Sequence, residues 1–318
     1  MSSVAKSIPA FSGADFDLAS NGDASLFLEM RDAFSQLDHE PLRQVLLDSL
    51  AAEKESVQAI ARSFGGFLAG SQPIDIRRRF FASYQKTNNS AMSVEGLANR
   101  MSAEGEAKAV SSETDKALSL FRAAGRMNRV ADEDLGVGGQ ALHFELYYRM
   151  ATAFAGQDDQ WQCRQYCLPA AVEFKSWLDA SRLRSPVMVG LYSLLVHEGY
   201  THAEHETIAK PFHNWATTQM EFSDHEARRV LAWITVHIGG TEKAHFAHSC
   251  ASLAHYMEGS GAAIDLQVAG ETFRKYFRLK GAVMAQLSET YRYPAEDAGE
   301  SAGGRAQSAV CDDPNWPG

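Results

Sequence analysis

The sequence predicts an all-α fold, and three observations carry that expectation. Apolar residues recur at i, i+3, i+4 and i+7 through most of the middle of the chain, the spacing that gathers them on one helix face. Alternating apolar and polar runs, the mark of half-buried strands, are nearly missing. Helix punctuation stands where periodic stretches begin: Ser185 before Pro186 reads as an N-cap with a pre-set first turn, and Ser223 with Glu226 as a capping box.

Taken in order, the pattern predicts helices at about 24–37, 42–69, 74–87, 113–131, 141–155, 160–180, 186–215, 224–257 and 263–291. Gly259 reads as the stop of the eighth. The stretch from about 88 to 111 breaks the pattern and reads as partly helical or as a lid. Residues 1–22 and 294–318 are rich in Ser, Gly, Ala and Asp without apolar periodicity, so they read as disordered tails flanking one helical domain over 23–293.

Composition narrows the function classes. A chain of 318 residues with 45% hydrophobic content can bury a sizeable core. Its formal net charge of −10 and its lack of a Lys/Arg block argue against a nucleic-acid partner, because phosphate binding needs clustered positive charge. There is no run of eighteen apolar residues and no apolar core in the N-terminal segment, so the expectation is no membrane partner and a cytoplasmic location. Cys163, Cys167, Cys250 and Cys311 make neither a CxxC pair nor a dense framework. Cys163 and Cys167 lie one helical turn apart, which reads as buried thiols before it reads as metal or redox chemistry.

The histidines are the informative feature. Ten of the eleven fall between His143 and His255, and the first 140 residues contain only His39. A metal-binding bundle gathers His and carboxylates on the facing sides of a few helices. In "VHIGGTEKAHFAHS" (236–249), Glu242 and His245 share a helical face and His248 continues it, while His237 stands about 140° from Glu242 on a regular helix. A π-bulge at Gly239 and Gly240 would bring His237, Glu242 and His245 into one stripe. In "VHEGYTHAEHETIAKPF", Glu198, His202 and His205 share a face, with Glu204 and Glu206 expected in solvent. The His197–His202 spacing is one residue too long for HExxH, which excludes a zincin. In "NRVADEDLGVGGQALHFELYYRMATAFAG" an acidic helix end, a Gly-rich loop and His143 follow one another; with no strand before it and no Gly-Lys-Ser/Thr after it, the loop is a poor phosphate loop. Trp215, Trp233 and Phe246 read as core.

These three segments resemble the haem-oxygenase-like diiron oxidases and oxygenases, whose bundle is shared with the TenA thiaminases and the PqqC cofactor synthase. That superfamily carries a glutamate and a histidine early, a glutamate in a middle helix and H-x3-D-x2-H late. The resemblance covers residues 113 to 257 and implies Glu133 and His143 as the first pair, Glu198 in the middle, and His237, Glu242 and His245 late. Asp132 or Asp134 stand ready to replace Glu133, and His202, His205 and His248 are the reserves. The chain departs from the pattern by x4 between His237 and Glu242 and by glutamate for aspartate. Tyr192, Tyr200 and Asp224 are the expected outer groups that orient ligands.

The resemblance implies two iron ions with O2 as co-substrate, acting on a small molecule such as an amine, an amino acid or a fatty acid in specialised metabolism. A homodimer is compatible with it. Mixed imidazole and carboxylate ligands without cysteine also favour iron or manganese over structural zinc. Two rival readings stand beside it: a metal-free PqqC/TenA-like enzyme whose histidines bind an anion or move protons, and a non-catalytic helical metal-binding or partner protein.

Overall fold

The computed structural model of this protein describes residues 23–88, 90–137, 141–156 and 159–292, the side chains of Asp23, Ala24, Glu242 and Arg292 excepted. The expected tails, 1–22 and 294–318, lie outside the described residues. Among the described residues the regular structure is helical, with no strand, as the apolar spacing predicts. The helices are α1 (Asp23–Phe34), α2 (Glu40–Ala52), α3 (Lys54–Leu68), α4 (Ile74–Asn88), α5 (Ala91–Val110), α6 (Thr114–Asp134) and α7 (His143–Ala155). After two 3-10 turns follow α8 (Pro169–Leu183), α9 (Val187–Thr218), α10 (Asp224–Val230), α11 (Ala232–Val236), α12 (Gly240–Ser260) and α13 (Leu266–Arg292). None of these helices is long and apolar enough to cross a membrane.

α9 organises the rest. Residues 190 to 205 are buried without interruption, because α9 is packed on its different sides by α1, α5, α8, α12 and α13. A helix enclosed on all sides has no polar face, so its apolar and ionisable residues all go inside. α13 packs on α9, α2, α3 and α8 and buries Ala269, Phe273, Tyr276, Val283, Met284 and Leu287 along one stripe, with Lys280 in its middle. α5 and α6 fold back on each other through residues 111–113, and α12 lies along α6. One hydrophobic cluster runs through all these layers, and fully burying each of its large side chains is worth roughly 1.5–3 kcal/mol.

Several boundaries differ from the sequence expectation. The stretch 88–111 is mostly a twenty-residue helix, α5, which buries Val94, Leu97, Ala98 and Met101 at i, i+3, i+4 and i+7; Gly96, Gly105 and the serines dilute that stripe in the sequence. The helix expected over 42–69 is two, because the backbone turns at Glu53 (φ −103°, ψ 28°) without Gly or Pro to signal it. The segment 160–168 forms 3-10 turns, so Cys163 and Cys167 flank a turn rather than share a helix face, and α8 begins at Pro169. The capping box of Ser223 and Glu226 is present, whereas Pro186 rather than Ser185 is the N-cap of α9.

The expected helix 224–257 is three helices. It turns first at Leu231 and then at His237–Gly239, where Gly239 adopts φ +75°, a conformation open to glycine at low cost. The chain therefore breaks and restarts where a π-bulge was expected. Gly259 does not end α12; Gly261, at φ +75°, does. At Gly259 a Cβ would stand 2.7 Å from the Lys116 carbonyl and 2.9 Å from the Leu120 amide, so glycine lets α12 and α6 touch backbone to backbone.

Candidate metal centre

The ionisable residues expected from sequence converge where the end of α6, the start of α7, the middle of α9, the end of α11 and the start of α12 meet. Asp134, His143 and His237 each offer a ligand atom, all within 4.8 Å of one another. His143 Nδ1 lies 2.8 Å from Asp134 Oδ1, and that nitrogen makes no aligned hydrogen bond. His237 reaches the group because the break at Gly239 ends α11 at His237 and frees its direction from that of α12. Its Nδ1 donates to the Trp233 carbonyl one turn back, which leaves the ring lone pair on Nε2.

A second group stands beside the first. His245 Nε2 donates to Glu133 Oε2 at 3.0 Å, and His245 Nδ1 lies 3.6 Å from Glu198 Oε2. Both groups border one small cavity of about 20 Å3, lined among others by Asp134, Glu198, His205, His237 and His245. His205 stacks on His237 with ring centroids 4.5 Å apart. Its Nδ1 donates to the Thr201 carbonyl at 2.9 Å, while its Nε2, fully buried, has no hydrogen-bond partner. A buried acceptor without a partner costs about 1–3 kcal/mol and calls for an explanation.

Burial disfavours the charged form of three of the histidines here, His237, His205 and His197. Burial pushes His237 well below the usual histidine value, and His205 and His143 add to it. Burial likewise takes His205 down to about 3. His197 is also driven well below, by burial and then by the Arg182 guanidinium; its Nδ1 meets the Tyr276 hydroxyl at 3.0 Å. Burial by itself would raise the Asp134 carboxyl, but the nearby His143, together with His245 and His237, holds it below the ordinary value. Neutral imidazoles beside carboxylates have the protonation states that metal ligation requires.

The first carboxylate differs from the expected pairing: Asp134, one of the expected substitutes, meets His143, and Glu133 turns to His245. Consecutive helix positions point about 100° apart, so the two acids at the end of α6 serve different groups. Glu198, His237, His143 and His245 all lie at the site. Glu242 belongs to the first turn of α12, and its side chain lies outside the described residues. Of the reserves, His205 borders the cavity. His202 faces a wide groove of about 1150 Å3 beside α1 and α12, and His248 stands 3.5 Å from Arg126 on α6.

Glu204 is not in solvent as expected. It is fully buried, accepting from Tyr84 at 3.0 Å and from Tyr200, with Lys280 Nζ at 3.2 Å. Glu206 is half-buried and accepts the Gly239 amide at 2.7 Å, bracing the break that frees His237. The expected outer groups do other work: Tyr192 accepts the Asp265 amide, Tyr200 serves Glu204, and Asp224 pairs with His213 and Arg228 at the surface. Tyr276 and the Trp233 carbonyl hold site imidazoles instead, and no sequence spacing points to them.

A pocket of about 290 Å3 opens directly onto Asp134, His143 and His237. Its walls include Met92, Phe144, Tyr147 and Trp233, with Asn88 among its polar residues. No known family, curated protein or solved structure matches this chain significantly, so the site stands on its own geometry.

Proposed function

We propose that this chain is an O2-using non-haem iron oxidoreductase on a haem-oxygenase-like helical bundle, acting on a small organic substrate. The observation that carries the reading is the convergence of Asp134, His143 and His237 at the floor of an apolar-walled pocket. Two imidazoles and one carboxylate with positions left open is the donor set of non-haem iron(II) oxygenases. Ligands about 2.0–2.2 Å from one ion stand about 3 Å from each other, the separation of His143 Nδ1 and Asp134 Oδ1 at 2.8 Å. Glu133, Glu198 and His245 would hold a second ion across the small cavity.

Iron held by Asp134, His143 and His237 would supply redox chemistry toward O2, with the net electrons drawn from the substrate or from an external reductant. The protein's own residues set the conditions. The Trp233 carbonyl holds the His237 tautomer that presents Nε2, and Glu206 secures the backbone break behind it. Trp233 and Tyr147, both buried, give apolar wall to the pocket where the substrate would lie.

A second reading, a single iron on Asp134, His143 and His237, is favoured by His245, since both its nitrogens already face carboxylates. Iron content of protein reconstituted with Fe(II) without oxygen separates the readings. Two irons per chain support the diiron centre, and one iron, lost in His237→Ala but kept in His245→Ala, supports the single centre. No iron in a folded chain sinks both and returns the site to a metal-free enzyme or a non-catalytic protein.

A further inference from the structure

Two surface features of opposite character lie on either side of α12. The first is the groove of about 1150 Å3 between α1 and α12. Both helices pack on α9, and they approach each other at Phe34 and Phe246, whose ring centroids are 6.3 Å apart. The buried lining of the groove is apolar, with Ala33, Leu37, Phe246 and Leu253. Its more open lining is acidic: Glu29, Asp32, Asp38 and Glu258 stand against one ammonium, Lys243. Asp32 is paired with Arg31 at 3.0 Å and Glu258 lies 3.7 Å from His255, whereas Glu29 and Asp38 have no ion pair among the described residues. The groove follows α12 from Lys243 to Glu258, roughly 22 Å of helix at about 1.5 Å per residue. A long apolar trough with charged edges has the shape that accepts a helix.

The second feature is the outer face of α6. Leu118, Arg122, Arg126 and Arg129 are all exposed and fall within an arc of about 80° on the helical wheel, with exposed Phe121 beside them. Arginines three and four positions apart on one face repel each other, which costs helix stability. None of the three has an ion pair among the described residues, and Arg126 instead meets His248 Nδ1 of α12 at 3.5 Å. On a chain with a formal net charge of −10 this stripe stands out. Arginine and aromatic side chains are also what protein interfaces gather.

α12 separates the two features. His248 and Ser252 face α6, with Ser252 Oγ donating to the Ala123 carbonyl at 2.9 Å, and Phe246 faces α1. Between these sides α12 turns Ala247, Ala251 and Ala254 outward, small enough to let another backbone come close. The order across this surface is therefore α6, α12, groove, α1. A two-fold axis through α12 reverses that order in a second copy and sets the α6 of each copy over the groove of the other.

We infer that this chain forms a two-fold dimer in which α6 of each copy lies in the α1–α12 groove of the other. Arg122, Arg126 and Arg129 meet the carboxylates along the groove, and Leu118 and Phe121 fill its apolar lining. The same two patches serve both copies, so the contact closes on itself rather than propagating. The dimer rests on neither iron nor substrate.

The test is analytical sedimentation of the full chain at micromolar concentration in low salt. Wild type is expected to run as a dimer and to dissociate more readily in about 1 M salt. Arg122→Glu/Arg126→Glu and, separately, Glu29→Lys/Asp38→Lys set like charges across the interface, and each should weaken dimerisation about a hundredfold. An equimolar mixture of the two variants should recover dimers. Each variant keeps the patch that the other has lost, and the two reversed patches also match. A misfolded variant could not give that recovery, and helicity of each variant is checked beforehand. A wild type that stays monomeric overturns the inference and leaves the groove to another occupant, such as a basic helix of a different protein. A dimer indifferent to salt, a dimer that survives either reversal, or a mixture of folded variants that stays monomeric overturns it as well. The wild-type result needs no variant.

Discussion

Glu204 and His205 are neighbours on α9, both fully buried, and their surroundings differ in kind. Glu204 has a partner for each oxygen: Tyr84, Tyr200 and Lys280, with Lys280 held in turn by Thr87 and the faces of Tyr84 and Tyr200. His205 spends Nδ1 on its own helix and leaves Nε2 buried without a partner beside His237. The same depth of burial thus holds a closed polar network on one face of α9 and an open one on the next. A closed network is what a fold keeps for itself; donors left open toward a cavity are what a ligand completes.

The largest effect should come from opening the closed network. Burial drives Lys280 below the usual lysine value, with Glu204 opposing, so the pair is costly to hold and costlier to break. Lys280→Met leaves the Glu204 carboxylate buried without its cation, and the expected loss of stability is about 3–5 kcal/mol by urea unfolding. The double variant Glu204→Gln/Lys280→Met should recover most of that loss. A Lys280→Met variant as stable as wild type would erase the contrast between the two faces.

The next effect comes from closing the open network. Fe(II), added without oxygen at about a hundred times its dissociation constant, should stabilise the wild type by about 2.7 kcal/mol. His237→Ala should unfold near the metal-free wild type but gain nothing from iron. Thermal melts with and without iron read this directly, and an equal gain in both proteins would place the ion elsewhere.

A smaller effect is expected at His205 itself. His205→Leu loses the bond to the Thr201 carbonyl but also removes the unpartnered Nε2, and the two nearly offset. Stability should stay within about 1 kcal/mol of wild type. A loss matching that of Lys280→Met would mean His205 belongs to the structural network after all.

The two faces were not equally legible. Lys280 interrupts the apolar stripe of α13 at Phe273, Tyr276, Val283 and Leu287, a visible signal that something acidic waits opposite, yet its partner Glu204 reads as solvated because α9 carries ionisable residues all round. The histidine skew marked the site, and helical spacing gathered Glu198 with His205. Spacing failed where the chain stops being regular. The pairing of Asp134 with His143 spans a loop, and His237 reaches the site through a break that Gly239 permits and Glu206 braces.

Glu113 supplies the control for burial. It joins the α5–α6 turn and pairs with Lys108 at 2.9 Å and with Lys116 at 2.5 Å, as thoroughly partnered as Glu204 but open to water. Hydrogen bonds from Lys116 and then Lys108 lower its carboxyl from 4.5 to about 2. A carboxyl lowered in the folded state binds fewer protons there than in the unfolded chain, so its contribution is fully present above 4.5 and is lost as pH falls through about 2. Water and salt screen such a pair, so Glu113→Gln should melt only slightly below wild type at pH 7 in low salt. That gap should vanish in 1 M salt, and should close in low salt as the pH falls from 4.5 toward 2. A salt-insensitive gap as large as that of Lys280→Met would show that pairing, not burial, sets the cost, and the distinction between Glu204 and the surface would fail.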